Sequence, residues 1–343
     1  MMPRGTSVAK ERAERGRFIA ALPAAGRVPW ERLTVQARKE ELYAFDFVAD
    51  EAWADMIVRL GTSLWNFLDR FSYVMLKPEA IARRCACDVF NYLEVHRFRP
   101  VALRQVELGR STAHQMWRYQ WNAATIDRVR LTTFVNERCP SLMIVVRDES
   151  DSDVPASVRL WGLKGSAHAE KRTADHLRTA VRMHNRMLGF VHTPDEPADL
   201  VRELGVLLRD GDRDLLLREV LLEIDVESPA QLKGRALDFE SRHTAHEVDP
   251  AAVVNRLVLG SCSPPVTAVI DAIRNGKKLP LAKVHTAFGE LADEPTRWDF
   301  ITVAAEVIRH DRPGVPPMIA AKAAVEVAEL WKRGSPNPEG LFS

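Results

Sequence analysis

Between Pro29 and Arg70 apolar side chains return every three or four positions among charges: Trp30, Leu33, Leu42, Phe45, Phe47, Trp53, Met56, Ile57, Leu60, Leu64, Trp65 and Leu68. That period predicts a helical N-terminal segment, residues 1–70, whose aromatic side chains serve burial. The texture changes at Phe71. Tyr73-Val74-Met75-Leu76 is a short apolar run closed by Lys77-Pro78, and proline biases its predecessor toward extended backbone, so a strand feeding a basic loop is expected. Ile81, Cys85, Val89, Phe90 and Leu93 then share one helical stripe, and Pro100 to Val106 reads as a second strand. A helix is expected over Thr112 to Glu137, a third strand over Ser141 to Val146, and a helix from near Pro155. A basic irregular stretch, Lys164 to Arg186, leads to an apolar run from Met187 to Val191 that His192 ends, the expected fourth strand. Strands alternating with helices in this order predict an α+β fold over residues 71–208: a ferredoxin-like antiparallel sheet with helices on one face.

Beyond Asp199 the strand texture fades. Leu200 to Leu208, Asp212 to Ile224, Pro250 to Leu259, Pro265 to Asn275, Trp298 to His310 and Pro317 to Trp331 all show helical periodicity, punctuated by Gly211, Pro229, Gly260, Pro264, Pro295, Pro313 and Pro316. Residues 209–343 are therefore expected to form an all-helical module with a mobile tail from Gly334.

Composition narrows the function classes. The 343 residues are 46% hydrophobic and 28% charged, which describes a globular chain of about two domains. Lys and Arg number 48 against 47 Asp and Glu, so no chain-wide charge favours nucleic acid or acidic lipid, and nucleic acid is not an expected partner. Arg218 and Glu219 break the most Leu-rich run, so no membrane span is expected. The basic start, Arg4 to Arg17, is interrupted by Glu11 and Glu14, and the apolar run after it stops at Pro23, too short for a secretory core; four cysteines suit a reducing, cytoplasmic setting.

The candidate chemistry centres on Phe190-Val191-His192-Thr193-Pro194-Asp195. A histidine at a strand end is followed eleven residues later by Glu203, on the next expected helix. A carboxylate so placed holds one ring nitrogen and leaves the other free to attack, which is how a histidine nucleophile is prepared.

With these residues in view, Tyr73 to Leu208 resembles the nucleoside diphosphate kinase family. Tyr73 to Glu79 is similar to its first strand and lysine-proline-acid motif, Arg97 to Leu103 to its second strand, and Cys139-Pro140-Ser141 to the entry of its third. His192, Asp195 and Glu203 match its histidine motif. The resemblance implies transfer of the terminal phosphoryl group of ATP or another nucleoside triphosphate, through a phosphohistidine on His192, to a nucleoside diphosphate or related acceptor. It further implies Glu203 as orienter of the histidine, Lys77 and Arg178 as phosphate-binding cations, Arg159 as a looser second arginine, and magnesium on the nucleotide. A homo-oligomer is implied as well, while the C-terminal module offers a surface for a protein partner.

The sequence also departs from the family pattern. Thr193-Pro194 follows the histidine, which removes the expected hydroxyl two positions on; Thr193 offers a displaced one. Gly189 stands where the family places an asparagine, and the region matching the base-stacking aromatic, Asp127 to Arg130, is polar, leaving Trp117, Tyr119 or Trp121 as substitutes. These departures support an alternative, a catalytically impaired nucleotide-binding or regulatory module. Lys164, Lys171, Arg172, Arg178, Arg182 and Arg186 either form a solvated face or supply phosphate contacts. Cys85-Ala86-Cys87 and His243-Thr244-Ala245-His246-Glu247 lack the spacing of metal sites.

Overall fold

The computed structural model describes residues 28–222, 227–320 and 322–334, so the basic start and the tail beyond Gly334 lie outside the described residues. The N-terminal segment forms α1 (Ala37–Tyr43), α2 (Phe47–Leu60) and α3 (Leu64–Arg70). There follow β1 (Phe71–Leu76), α4 (Pro78–Ala82), α5 (Ala86–Val95), β2 (Phe98–Val106), α6 (Arg110–Met116), α7 (Ile126–Asn136), β3 (Ser141–Asp148), α8 (Ala156–Lys164), α9 (Leu177–Ala180), β4 (Val191–His192) and α10 (Pro197–Leu207). The remainder is helical: α11 (Asp210–Leu222), α12 (Pro229–Ser241), α13 (Pro250–Leu259), α14 (Pro264–Arg274), α15 (Leu281–Phe288), α16 (Glu294–Val307) and α17 (Ala324–Gly334). Among the described residues no helix is long and apolar enough to cross a membrane.

The four strands form one antiparallel sheet in the order β2-β3-β1-β4. Pro100 is tolerated because β2 lies at the sheet edge, where the pairing with β3 slips between Pro100 and Ala102. Side chains alternate across β1: Tyr73 and Met75 enter one apolar cluster, Val74 and Leu76 another.

All six residues of β1 are buried, which corrects the expectation of helices on one face only. The Val74 face carries α4, α5, α7 and α8 and shares its core with Leu232, Phe239 and Phe300 of the C-terminal helices. The Tyr73 face is covered by Trp53, Met56, Phe67 and Leu68 from α2 and α3, together with Leu200 and Leu204 from α10. The helical flanks thus complete both layers of the sheet, and the apolar clusters run without a break across residues 70/71 and 208/209. Gly205 permits the close crossing of α10 over α2, because a Cβ there would sit 2.7 Å from that of Ala52.

Three further expectations on secondary structure are corrected. The helix expected over Thr112 to Glu137 is interrupted between Met116 and Ile126, because the backbone there pairs elsewhere: the Tyr119 and Ala123 carbonyls accept from the amides of Met318 and Arg312, at 2.9 and 2.7 Å. The helix expected from Pro317 begins only at Ala324, since Pro313, Pro316 and Pro317 cannot donate to a helical ladder and residues 309–319 run as an irregular strap. The fourth strand shrinks to Val191–His192, because Phe190 takes a left-handed conformation (φ 52°) that breaks extension after Gly189.

Candidate active site

His192 is set by two short ladders and a pin. It pairs with Met75, Val191 pairs with Leu76, and the Lys77 amide donates to the Phe190 carbonyl at 2.9 Å. Phe190 is buried, and its strained backbone is held by Glu79, whose Oε1 accepts from the Phe190 amide at 3.2 Å and from Lys77 Nζ at 2.6 Å. A left-handed non-glycine costs about 1–3 kcal/mol and persists only where its surroundings over-determine it. Here that strain places Lys77 beside the turn into His192. A Cβ on Gly189 would lie 3.2 Å from Lys77 Nζ, so glycine leaves the amine its room.

Glu203 comes from α10, whose start is fixed by Pro197 at its first turn and a capping box between Glu196 and Asp199. Two side-chain interactions define the centre. His192 Nε2 meets Glu203 Oε2 at 2.9 Å, and the same oxygen accepts from the Tyr73 hydroxyl. Burial, then the neighbouring Glu203 carboxylate, pushes the Tyr73 phenol well above its ordinary pKa, so it stays a donor. With Tyr73 donating to the same oxygen, Glu203 is the acceptor of the Nε2–H as well, an arrangement that leaves the ring's other lone pair on Nδ1. Among the described residues Nδ1 has no hydrogen-bond partner. The imidazole side chain is 16% exposed. Trp117 presents itself edge-on to the ring, centroids 6.0 Å apart at 85°.

Cations converge on the chain around the histidine. Arg178 Nη1 donates to the Gly165 carbonyl at 2.8 Å and Nη2 lies 3.5 Å from the Val191 carbonyl, while its buried Nε lacks a partner among the described residues. Burial brings the Arg178 pKa down to about 10. Lys164, at the end of α8, donates to the Thr193 carbonyl at 3.2 Å and to Asp195 Oδ1 at 3.0 Å. Burial lowers its pKa as well, with Asp195 opposing and Arg178 assisting. Thr193 is fully buried, and among the described residues its hydroxyl has no partner.

The sequence-predicted residues His192, Glu203, Lys77, Arg178 and Thr193 are therefore brought to one locality, and Arg159 is not. Its guanidinium is held by Asp148 Oδ1 at 2.9 Å and the His96 carbonyl at 2.7 Å, over the Phe98 ring. Asp148 closes β3 at the sheet end opposite His192, since Phe71 pairs with Arg147 there while Met75 pairs with His192. The position of Arg159 in α8, five residues before Lys164, faces it to that end. The basic stretch is likewise used largely by the protein itself: Arg172 donates to the Arg178 and Met183 carbonyls, His184 meets Asp249, and Arg186 meets Asp311.

Sequence reasoning missed two contributors. Tyr73 was legible by parity, since it lies two residues before Met75, on the same sheet face, and Met75 is the partner of His192. Lys164 was grouped with the basic loop, and nothing local marks it as the anchor of the turn after His192.

Residues 71–212 match the family model for nucleoside diphosphate kinase. No curated protein matches the chain. The matched segment contains the whole sheet and every residue of the cluster, and ends just inside α11. The match is to a family of nucleotide-binding phosphotransfer enzymes, and the matched segment has α+β architecture with helical flanks on either side.

Proposed function

We propose that this protein transfers the terminal phosphoryl group of a nucleoside triphosphate to a nucleoside diphosphate or related acceptor, through a phosphohistidine on His192. The observation that carries the reading is the ring held from behind: Nε2 on Glu203, Nδ1 without a partner. In the first half-reaction the Nδ1 lone pair bonds to the terminal phosphorus as the bridging P–O bond breaks, and the diphosphate leaves with that electron pair. The proton stays on Nε2, and the Glu203 carboxylate that accepts its hydrogen bond balances the positive charge that grows on the ring. An acceptor phosphate oxygen then attacks the phosphorus, the N–P bond breaks, and neutral imidazole returns. Lys77 and Arg178 are the cations of this reading that offset phosphate charge, Lys164 fixes the turn after His192, and Thr193 is the candidate hydroxyl of the loop.

The residues present do not form a cage for magnesium. Glu79, Asp195 and Glu203 are already engaged by Lys77, Lys164 and the His192–Tyr73 pair, and among the described residues no group of three ligating side chains exists. The ion that the family implies is one carried on the nucleotide's own phosphates, where it neutralises their charge.

A second reading, a nucleotide-binding module without turnover, is favoured by Trp117 against the ring and by the engagement of Arg159 elsewhere. One experiment separates the two. The full chain is incubated with ATP labelled in its terminal phosphate and magnesium; an acid-labile, alkali-stable phosphoprotein that is absent from His192→Ala is the expected result. No label on the intact protein overturns the transferase reading, and a nucleotide-dependent rise in Tm without label supports the second.

A further inference from the structure

Two exposed features of the helical flanks complement one another. At the turn from α1 into α2, Phe45 is 91% exposed and Phe47 76%, whereas Asp46 between them is buried. Asp46 caps α2 by accepting from the Val48 amide at 3.0 Å, and it also accepts from Arg202 Nε at 2.6 Å and the Tyr119 hydroxyl at 2.8 Å. The backbone that projects the two rings is therefore fixed, and they stand in water as a preorganised pair. Asp50 and Glu51, three and four residues after Phe47, share its exposed helix face, and neither has an ion-pair partner among the described residues. Arg118, a cation beside this turn, is engaged by Asp46 at 3.7 Å. The C-terminal module carries the counterpart. There α14 and α15 flank an open groove of about 700 Å³, lined by Pro265, Ala268, Leu279 and Ala282 with Lys277 and Lys283 beside them. Neither lysine has an ion-pair partner among the described residues, while Asp271, the acid of the lining, is paired with Arg274 at 3.3 Å. Residues 271–283 hold four cations against one acid, in a chain whose net charge is +1.

We propose that the Phe45–Phe47 turn of one copy of this chain docks in the α14–α15 groove of a second copy, with Asp50 and Glu51 against Lys277 and Lys283. A groove of this volume accommodates a drug-sized apolar ligand, and so two phenyl rings. Aromatic anchors seated in an apolar pocket, with opposite charges meeting at its rim, are the parts that carry energy and register in a protein interface. The exposure of both rings shows that a copy does not fill its own groove. Turn and groove are different surfaces, so the contact is head-to-tail, and assembly closes into a ring or continues as a chain. Two rings bury about 150–250 Å² each, less than the roughly 800 Å² per partner of a standard interface, so the association is reversible at micromolar concentrations. Both surfaces lie outside residues 71–212, and the contact does not depend on the chemistry at His192.

The test is sedimentation velocity of the full chain from about 1 to 100 μM, for the wild type and two double variants. Phe45→Ser with Phe47→Ser removes the rings and keeps the groove; Lys277→Glu with Lys283→Glu reverses the rim and keeps the rings. All four positions are exposed, so both variants fold with the wild-type Tm. The wild type associates as concentration rises, and each variant alone loses that step, with Kd raised more than about tenfold. An equimolar mixture of the two variants regains it as a 1:1 pair and nothing larger, because each supplies the half that the other lacks. A wild type that stays a single unit at the highest concentration assigns both surfaces to other partners and overturns the proposal. Association that persists in both variants uses another surface and overturns it too. Loss in the aromatic variant alone seats the rings elsewhere than the groove, and a mixture that does not pair refutes the match between the two surfaces.

Discussion

Replacing Glu203 by glutamine removes the charge behind the His192 ring while keeping the side chain's shape. The amide carbonyl, placed where Oε2 stood, still accepts from both Nε2 and the Tyr73 hydroxyl, so neither buried partner is orphaned. What disappears is a carboxylate 2.9 Å from Nε2 on a side chain only 9% exposed, where salt screens it little. At an effective dielectric of about 20, unit charges about 4 Å apart interact by ~4 kcal/mol. A ring that gains about half a positive charge as Nδ1 bonds phosphorus therefore forfeits about 2 kcal/mol, or roughly 30-fold in rate. Rapid-quench measurement of single-turnover phosphohistidine formation should show Glu203→Gln slowed by about 10- to 50-fold, with Tm close to that of the wild type. Labelling by folded Glu203→Gln at the wild-type rate would refute the assignment of Glu203 as the group that balances the ring.

Lys39 is buried with Nζ 2.6 Å from both Glu196 and Asp199, so Lys39→Met strands two interior carboxylates and should cost about 3–5 kcal/mol in urea unfolding; an unchanged midpoint would contradict that account. Burial raises the Glu240 carboxyl from 4.5 to about 7, against the Ala86 amide and Arg84, which favour the charged form. Because the folded pKa is raised, the folded chain retains this proton longer than the unfolded one. Its contribution is full below about pH 4.5 and declines as pH rises to about 7. Glu240→Gln should then gain about 1–3 kcal/mol at pH 8 and nothing near pH 4.5, and equal gains at both pH values would exclude the mechanism. Arg159→Ala should lower stability by about 1–3 kcal/mol through the loss of its bonds to Asp148 and His96 while phosphohistidine formation persists; loss of label in the folded variant would return Arg159 to the site.

The sheet was legible because β1 and β3 are buried on both faces, so each reads as an unbroken apolar run between turn signals. His192 and Glu203 were legible for a local reason: the chain between them is one tight turn and two turns of a capped helix, a geometry that eleven residues fix closely. Elements whose form depends on distant chain were not. The 117–124 interruption exists because a strap nearly two hundred residues later claims its carbonyls, and local helical periodicity contains no trace of that. Likewise Lys39 reads as one more charge on a surface helix, yet its partners lie 157 and 160 residues away and bury it. Arg159 failed by direction rather than proximity: α8 carries both it and Lys164, but the helix sends one to each end of the sheet.

The family match spans 71–212, yet the forces that orient the site do not stop at those limits. β4 offers His192 only two ladder pairs, too little to hold a ring in one orientation. The orientation comes from α10, which points Glu203 at His192 while its neighbours reach the other way. Glu196 accepts from Thr34, Gln36, Lys39 and Trp331, and Arg202 binds Asp46 and the carbonyls of Gln115 and Met116 that precede Trp117. The N-terminal helices and α17 therefore fix the first turn of the helix that fixes the histidine, and the Arg202 bonds set Trp117 beside it. Residues 71–212 alone would keep the Arg202 bonds to Gln115 and Met116 but lose Lys39, Tyr43 and Asp46, leaving Glu196 and Asp199 without their buried cation and Arg202 without its carboxylate.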